Sequence, residues 1–480
     1  MIIYLFYILI FFKFKKIQIK NKMKFLFDKI TFFIFFLNRI NLSNSQGYIS
    51  ILNGDSHNGK NYYYATLYIG EEKKPHNFLL DTTSSLISYQ CKFYSSFTSP
   101  NLEITKEKDI IICQNNSCPN YPYSFCSNNQ CHYEYNYNNS TFKGKYVNKY
   151  ISLSTEIKSH IFPTGCSNSD INENFYSNAD GILGLNYNNS LVNLLYQKKI
   201  LQKNLFSMCL NSNQGGYLSF GQINENSNEN KNNNNKIINY VYYTLSQSGM
   251  YKLLMTSFHI DDGLDLLNGK AVDSVIDSLS TKTYLTESLY NNFILEFLVK
   301  CQKMKNNCNN IHKIENVGFC SIFKSKQKII NSIDKYWPPI TIAVNGYNLV
   351  IQPKNYFVPY LSSGKINACV GFGKSSTNYN ILGTSFMNGY NVIFDNENKR
   401  IGLIESNCDI KLKKIEEYQN RVFDDPVNII IICISIFGII ILIIVLIFLY
   451  KEFYCNKQKR KGYIRQVDVN NSYYENKNIN

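Results

Sequence analysis

The chain has 480 residues, 44% hydrophobic and 15% aromatic, which is enough apolar material for two substantial cores and excludes a disordered polyelectrolyte. Its formal charge of +15 is spread over scattered lysines without a basic helix or an arginine cluster, so the charge does not point to a nucleic-acid partner. Asn, Lys, Ile, Tyr and Phe are over-used throughout, loops included, and a single Tyr or Asn is therefore weak evidence for a site.

In chain order, residues 1–40 hold two apolar runs, MIIYLFYILIFF and ITFFIFFL, separated by a basic stretch. They read as a signal peptide or signal anchor. Met23 is an alternative start, because MKFLFDKITFFIFFL has the form of a signal peptide by itself. Residues 41–60 form a short pro-segment or N-terminal extension. From Tyr62 the pattern is short alternating strands rich in Tyr, Val, Ile, Phe and Thr, such as YYYATLYIG, HNFLLD, YVNKYISLS, GYLSFG, YVYYTL and ITIAVNG. Helical periodicity is confined to 189–202 and 285–303. The fold class is mainly β.

Residues 224–236, NENSNENKNNNNK, are polar and of low complexity and read as a surface loop between two halves, 61–223 and 237–408. A charged stalk over 409–426 leads to VNIIIICISIFGIIILIIVLIFLY at 427–450, which carries no charge. A bilayer core needs about 20 such residues. Asp424 and Asp425 precede this span, and Lys451, Lys457, Lys459, Arg460 and Lys461 follow it. The positive-inside rule then makes 451–480 a cytosolic tail and places everything before 427 in a lumen or outside the cell. The expectation is a single-pass type I membrane protein of the secretory pathway.

Cys433 and Cys455 aside, the 14 cysteines lie between the two apolar ends. An even set in an oxidising compartment favours disulfides. The spacings Cys113–Cys118 and Cys126–Cys131 also admit a zinc site, but His132 is the single imidazole nearby.

Two stretches carry the chemistry. LLDTTSSL at 79–86 and SVIDSLSTKTYL at 274–285 each place an Asp after apolar residues and before hydroxyls. Each is followed further along by an Ile-Leu-Gly segment, in ADGILGL at 179–185 and NYNILGT at 378–384. An isolated Asp-Thr or Asp-Ser is usually a turn or a helix cap. Repetition of the whole device in both halves instead suggests two domains that each donate one carboxylate, Asp81 and Asp277, to a shared cleft for acid–base work on one bond.

On these motifs, together with FSMCL at 206–210, GGYLSFG at 215–221, WPPITIAVNG at 337–346 and ILGTSFMNGYNVIFDNENKRIGL at 381–403, the chain resembles the pepsin-like aspartic proteases over roughly residues 60–408. With its C-terminal span and cysteine-rich first half, it is most similar to the membrane-anchored type. The resemblance implies a bilobal pepsin-like fold, with a cleft between an N-terminal lobe over 61–223 and a C-terminal lobe over 237–408. It implies that Asp81 and Asp277 are catalytic. Thr82 and Ser278 would interlock the two active loops, the hydroxyls of Ser84 and Ser280 would bond the carboxylates, and Tyr137 would be the flap tyrosine. It also implies disulfides Cys209–Cys408, Cys320–Cys369 and Cys91–Cys166, leaving Cys301 with Cys308 and three connectivities for Cys113, Cys118, Cys126 and Cys131. Protein or peptide substrates, no cofactor, no metal and a monomeric state go with the family.

The pattern breaks where the family normally has Gly after the Asp-hydroxyl pair: here stand Thr83 and Leu279. A side chain at either place narrows the cleft or tilts the loop. Thr384 replaces a frequent Asp, Ser88 replaces an aromatic, and the segment after Tyr137 is short and lacks glycine. Two functions follow. One is a membrane-anchored endopeptidase using Asp81, Asp277 and a bound water. The alternative is a catalytically weak or inactive peptide-binding protein. Sequons begin at Asn115, Asn138, Asn139 and Asn188.

Overall fold

Alternation of buried and exposed side chains builds the strands. In Gln130–Tyr137, Cys131, Tyr133 and Tyr135 point inward while Glu134 and Asn136 face solvent, as the two-residue period of extended chain requires. Where strands are covered on both faces the alternation gives way to continuous burial, as over Phe78, Leu79, Leu80 and Asp81 at the end of Lys74–Asp81 and throughout Gly181–Gly184. The structure is a computed structural model that describes residues 47–57, 60–91, 106–118, 121–137, 140–167, 179–211, 215–223, 239–246, 248–315, 317–362 and 364–408. The expected signal segment over 1–40, the loop over 224–236, the stalk, the 427–450 span and the tail lie outside the described residues, as do Asn138 and Asn139. Among the described residues no helix is long and apolar enough to cross a membrane.

The strands form a 14-stranded, an 8-stranded and a 4-stranded sheet. The duplication seen in the sequence is present as a repeated four-strand unit. In the first half, Lys74–Asp81 runs parallel to Gly181–Gly184, which is antiparallel to Ile87–Gln90, which in turn is parallel to His160–Ser167. In the second, Val272–Ile276 runs parallel to Asn380–Leu382, which is antiparallel to Thr283–Leu285, which is parallel to Phe372–Lys374. Asp81 ends the first strand of one unit, and Asp277 directly follows the first strand of the other.

The halves share a platform. Leu205–Asn211 pairs on one side with Gly215–Phe220 and on the other with Tyr390–Asp395, which carries Arg400–Glu405 beyond it. Phe206 lies flat on Phe394 across this junction, with ring centroids 4.4 Å apart and planes 4° from parallel. The Cys209–Cys408 disulfide joins the same sheet across a sequence separation of 199.

Two expected elements differ in extent. The helix read over 189–202 is Leu191–Gln197, and the chain turns just after it at Lys199, whose φ is 58°. The strand read over YVYYTL is two pieces, because the chain passes at Tyr243 from Arg400–Glu405 in the large sheet to Tyr251–Ile260 in another. The second helix is Glu287–Lys303. It buries Leu289, Phe293, Phe297 and Cys301, one residue per turn, and Cys301 is bonded to Cys308.

Among the described residues six disulfides are formed: Cys91–Cys166, Cys113–Cys126, Cys118–Cys131, Cys209–Cys408, Cys301–Cys308 and Cys320–Cys369. The sulfurs of Cys113, Cys118 and Cys131 lie close together, but all three are consumed in disulfides and offer no thiolate to zinc. Replacing Cys209 and Cys408 together by Ser is expected to lower the unfolding free energy by roughly 2–4 kcal/mol in urea titrations, because the bond closes a long loop of the unfolded chain. An unchanged midpoint would contradict this.

Candidate active site

The first strand of each four-strand unit leads into a turn whose amides point back at the carboxylate that opens it. Asp81 Oδ1 accepts from the amides of Thr83 at 2.8 Å and Ser84 at 3.3 Å. Asp277 Oδ1 accepts from those of Leu279 at 2.9 Å and Ser280 at 3.3 Å. Neither amide contact depends on a side chain, so the loops keep the same shape although Thr and Leu stand where the family has Gly.

Between the aspartates the two turns exchange hydrogen bonds. Thr82 Oγ1 accepts from the Ser278 amide at 3.0 Å and donates to the Ile276 carbonyl at 2.9 Å. Ser278 Oγ accepts from the Thr82 amide at 3.1 Å and donates to the Leu80 carbonyl at 2.6 Å. Both side chains are buried, and each supplies partners the other loop would otherwise lack.

The Ile-Leu-Gly segments hold the turns from behind. The Leu185 amide donates to the Asp81 carbonyl at 2.7 Å, and the Asp277 amide donates to the Leu382 carbonyl at 3.0 Å. Glycine is required at both ends. A Cβ on Gly184 would sit 2.4 Å from the Leu86 nitrogen, and one on Gly383 would sit 2.1 Å from the Lys282 oxygen.

A tyrosine strand covers the carboxylates. Tyr133, Tyr135 and Tyr137 share one face of Gln130–Tyr137, and their hydroxyls reach three successive targets. Tyr133 meets Ser88 Oγ at 2.6 Å, Tyr135 donates to Asp81 Oδ2 at 3.0 Å, and Tyr137 donates to Asp277 Oδ2 at 2.9 Å. The hydroxyl of Tyr137, the expected flap tyrosine, also lies 3.1 Å from Ser280 Oγ. Tyr135 was legible from the sequence only as a strand-face residue. The signal that could have found it is the Tyr-x-Tyr-x-Tyr spacing itself, which aims alternate hydroxyls along one line. Ser88, in place of the aromatic, anchors the far end of that line.

Ser280 behaves as the resemblance implies, donating from Oγ to Asp277 Oδ2 at 2.7 Å. Ser84 does not, and that expectation is corrected. Its amide reaches Asp81, but its Oγ is buried without a hydrogen-bond partner among the described residues. Asp81 Oδ2 is taken by Tyr135, and Thr83 Oγ1 donates to Asp81 Oδ1 at 2.6 Å.

Leu279 is 3% exposed and belongs to a cluster otherwise built from the first half, including Leu86, Tyr133 and Tyr135, with Tyr137 packed against it. Its isobutyl group therefore crosses from one lobe to the underside of the flap. The carboxylate beside it keeps its amide donors from Leu279 and Ser280.

Burial and then the charge of Asp81 push Asp277 up to about 6, against the donors that Ser280, Tyr137 and Leu279 supply. Burial, followed by the facing carboxylates, raises Tyr135 and Tyr137 well above the ordinary phenol value, so both remain protonated donors. Asp277 thus carries a raised value beside a second carboxyl in a dry site, a setting suited to general acid–base chemistry.

A raised carboxyl value has a definite consequence for stability. The native chain holds a proton on Asp277 up to about pH 6, whereas an unfolded Asp releases it near pH 4. Native stability therefore falls as pH rises through that window, by on the order of 3 kcal/mol. Asp277→Asn removes the effect. Its stability relative to wild type should climb between pH 4 and 7 in urea unfolding, and a pH-independent difference would contradict the raised value.

Comparison with known proteins gives a consistent result. The family described as xylanase inhibitor N-terminal matches residues 63–222, and that described as xylanase inhibitor C-terminal matches 230–404. Plasmepsin V of Plasmodium falciparum is 22% identical over 450 residues, covering 75% of this chain and 74% of that protein. Aspartic proteinase nepenthesin-1 of Nepenthes gracilis is 24% identical over 381 residues, covering 75% and 82%. Among solved structures, basic 7S globulin from soybean superposes with a TM-score of 0.55 at 18% identity, over 76% of this chain and 96% of that one. An aspartic proteinase from Irpex lacteus does so with a TM-score of 0.53 at 14% identity, over 75% and 98%. The structural likeness is one of fold.

Proposed function

Because this chain belongs to the pepsin-like aspartic protease family, we propose that it is an aspartic endopeptidase in which Asp81, Asp277 and a bound water hydrolyse peptide bonds. The observation that carries the proposal is the pair of buried carboxylates, one per lobe, tied together by the Thr82–Ser278 exchange. In the reaction, the ionised member of the pair takes a proton from water as the water oxygen attacks the peptide carbonyl. The protonated member donates to the developing oxyanion. Collapse of the tetrahedral species breaks the C–N bond: the proton first taken from water passes to the leaving amine, and the hydroxyl formed on the carbonyl oxygen returns its proton to the carboxylate that supplied it. Because Tyr135 and Tyr137 hydroxyls rest on the two outer carboxylate oxygens, the flap strand lifts to admit the substrate.

The non-catalytic alternative is not favoured. Thr83 turns its hydroxyl toward Asp81 and adds a donor, and Leu279 packs away from Asp277 into the flap cluster. The relatives named above as aspartic proteinases support the same reading. We place the enzyme in the secretory pathway, anchored by 427–450 and acting on secretory or membrane proteins. Support comes from the uncharged span with its basic flank and from a disulfide set suited to an oxidising compartment.

Purified full-length protein should cleave a peptide library at mildly acid pH, and Asp81→Asn or Asp277→Asn should each lower kcat/KM by about 10²–10⁴. Equal cleavage by wild type and variants would remove the proposed role. Separately, the full chain should stay with membranes through alkaline carbonate extraction, and a chain lacking 427–450 should be released. Release of both would refute the anchor.

A further inference from the structure

The two carboxylates receive the same number and kind of donors, but from different positions. Asp277 takes its hydroxyl donors from Ser280, the third residue after it, and from Tyr137. In the first lobe the residue at the equivalent position is Ser84, whose Oγ is buried yet finds no partner among the described residues. One residue earlier, Thr83 donates from Oγ1 to Asp81 Oδ1 at 2.6 Å, and Tyr135 donates to Asp81 Oδ2 at 3.0 Å. The two hydroxyl oxygens lie 3.4 Å apart, so Thr83, Tyr135 and Asp81 form one small cluster.

We propose that Thr83 and Tyr135 are the positioning residues of Asp81, and that the hydroxyl duty of the first lobe has moved from Ser84 to Thr83. The substitution that breaks the glycine pattern is thus part of the working site. A glycine at 83 would leave Asp81 Oδ1 with amide donors alone. Tyr135 completes the arrangement because the extended strand spaces it two residues from Tyr137, so one strand serves both carboxylates and the cover and the pair are set by the same element. Both hydroxyls donate to Asp81, at Oδ1 and Oδ2, and a charged oxygen is the better acceptor. The inference rests on Asp81 belonging to the reacting pair.

The test uses Thr83→Val, which keeps the branched shape, Thr83→Ser, which keeps the hydroxyl, Tyr135→Phe and Ser84→Ala, all in the full-length chain. Two readouts are taken: the pH profile of kcat/KM on a cleaved peptide, and urea unfolding between pH 3 and 7. Thr83→Val and Tyr135→Phe should each lower kcat/KM on the acid side of the profile more than at its optimum. Their loss of stability should grow with pH, because the missing donor matters only to the ionised carboxylate. Thr83→Ser should restore the wild-type profile, and Ser84→Ala should share it. An acid-side loss in Ser84→Ala matching that of Thr83→Val, or a Thr83→Val cost equal at every pH, would overturn the proposal. Absence of peptide hydrolysis by wild type, with the pH-dependent stability cost intact, would defeat the hydrolytic reading and leave the positioning role standing. Hydrolysis with no pH-dependent change in either readout would do the reverse.

Discussion

The site depends on two buried hydroxyls that each serve the opposite lobe. Thr82 and Ser278 accept from one another's amides and donate to carbonyls that precede the two aspartates, at Ile276 and Leu80. Pulling the loops apart would strand amides, hydroxyls and carbonyls in an apolar interior, where an unsatisfied polar group costs on the order of 1–3 kcal/mol. The two turns are therefore tied together, and each carries its carboxylate beside the exchange. The Ile-Leu-Gly strands behind them, the glycines that allow close approach and the shared platform at Phe206 and Phe394 all hold the lobes where that exchange is possible.

Above the exchange sits a strand whose two-residue period does chemical work. Tyr133, Tyr135 and Tyr137 land on Ser88, Asp81 and Asp277 in turn. The cover is held from outside by Cys113–Cys126 and Cys118–Cys131, whose Cys126 and Cys131 face each other across paired strands. It is held from below by Leu279, reaching over from the other lobe. The two tyrosine–carboxylate bonds and the two crosslinks thus fix the strand at both its ends. The same packing keeps water away from Asp277, which is the main reason its proton is retained to about pH 6.

What the sequence revealed and what it hid have physical reasons. The repeated Asp-hydroxyl and Ile-Leu-Gly segments are local and were legible, and so was the interlock implied by Thr82 and Ser278. The helix over Glu287–Lys303 was readable because its buried face repeats every turn. The reassignment from Ser84 to Thr83 was not readable, because it depends on which of two adjacent hydroxyls points at an oxygen already approached by Tyr135 from a distant strand. Tyr135 was hidden by composition, with 38 tyrosines in the chain. The pairing of Cys113, Cys118, Cys126 and Cys131 was open because a loop, not a spacing, brings Cys113 and Cys118 to the hairpin. The two changes at the glycine positions looked alike as letters and act differently as side chains: Thr83 bonds its carboxylate, and Leu279 packs away from its own.

The structure brings two buried carboxyl groups, one from each lobe, under a cover that donates to both. The most direct test is the complete pH dependence of peptide hydrolysis by the full-length chain. Activity should follow a bell, falling at low pH and falling again above about pH 6 as Asp277 loses its proton. Activity that rises steadily through neutral pH would contradict it.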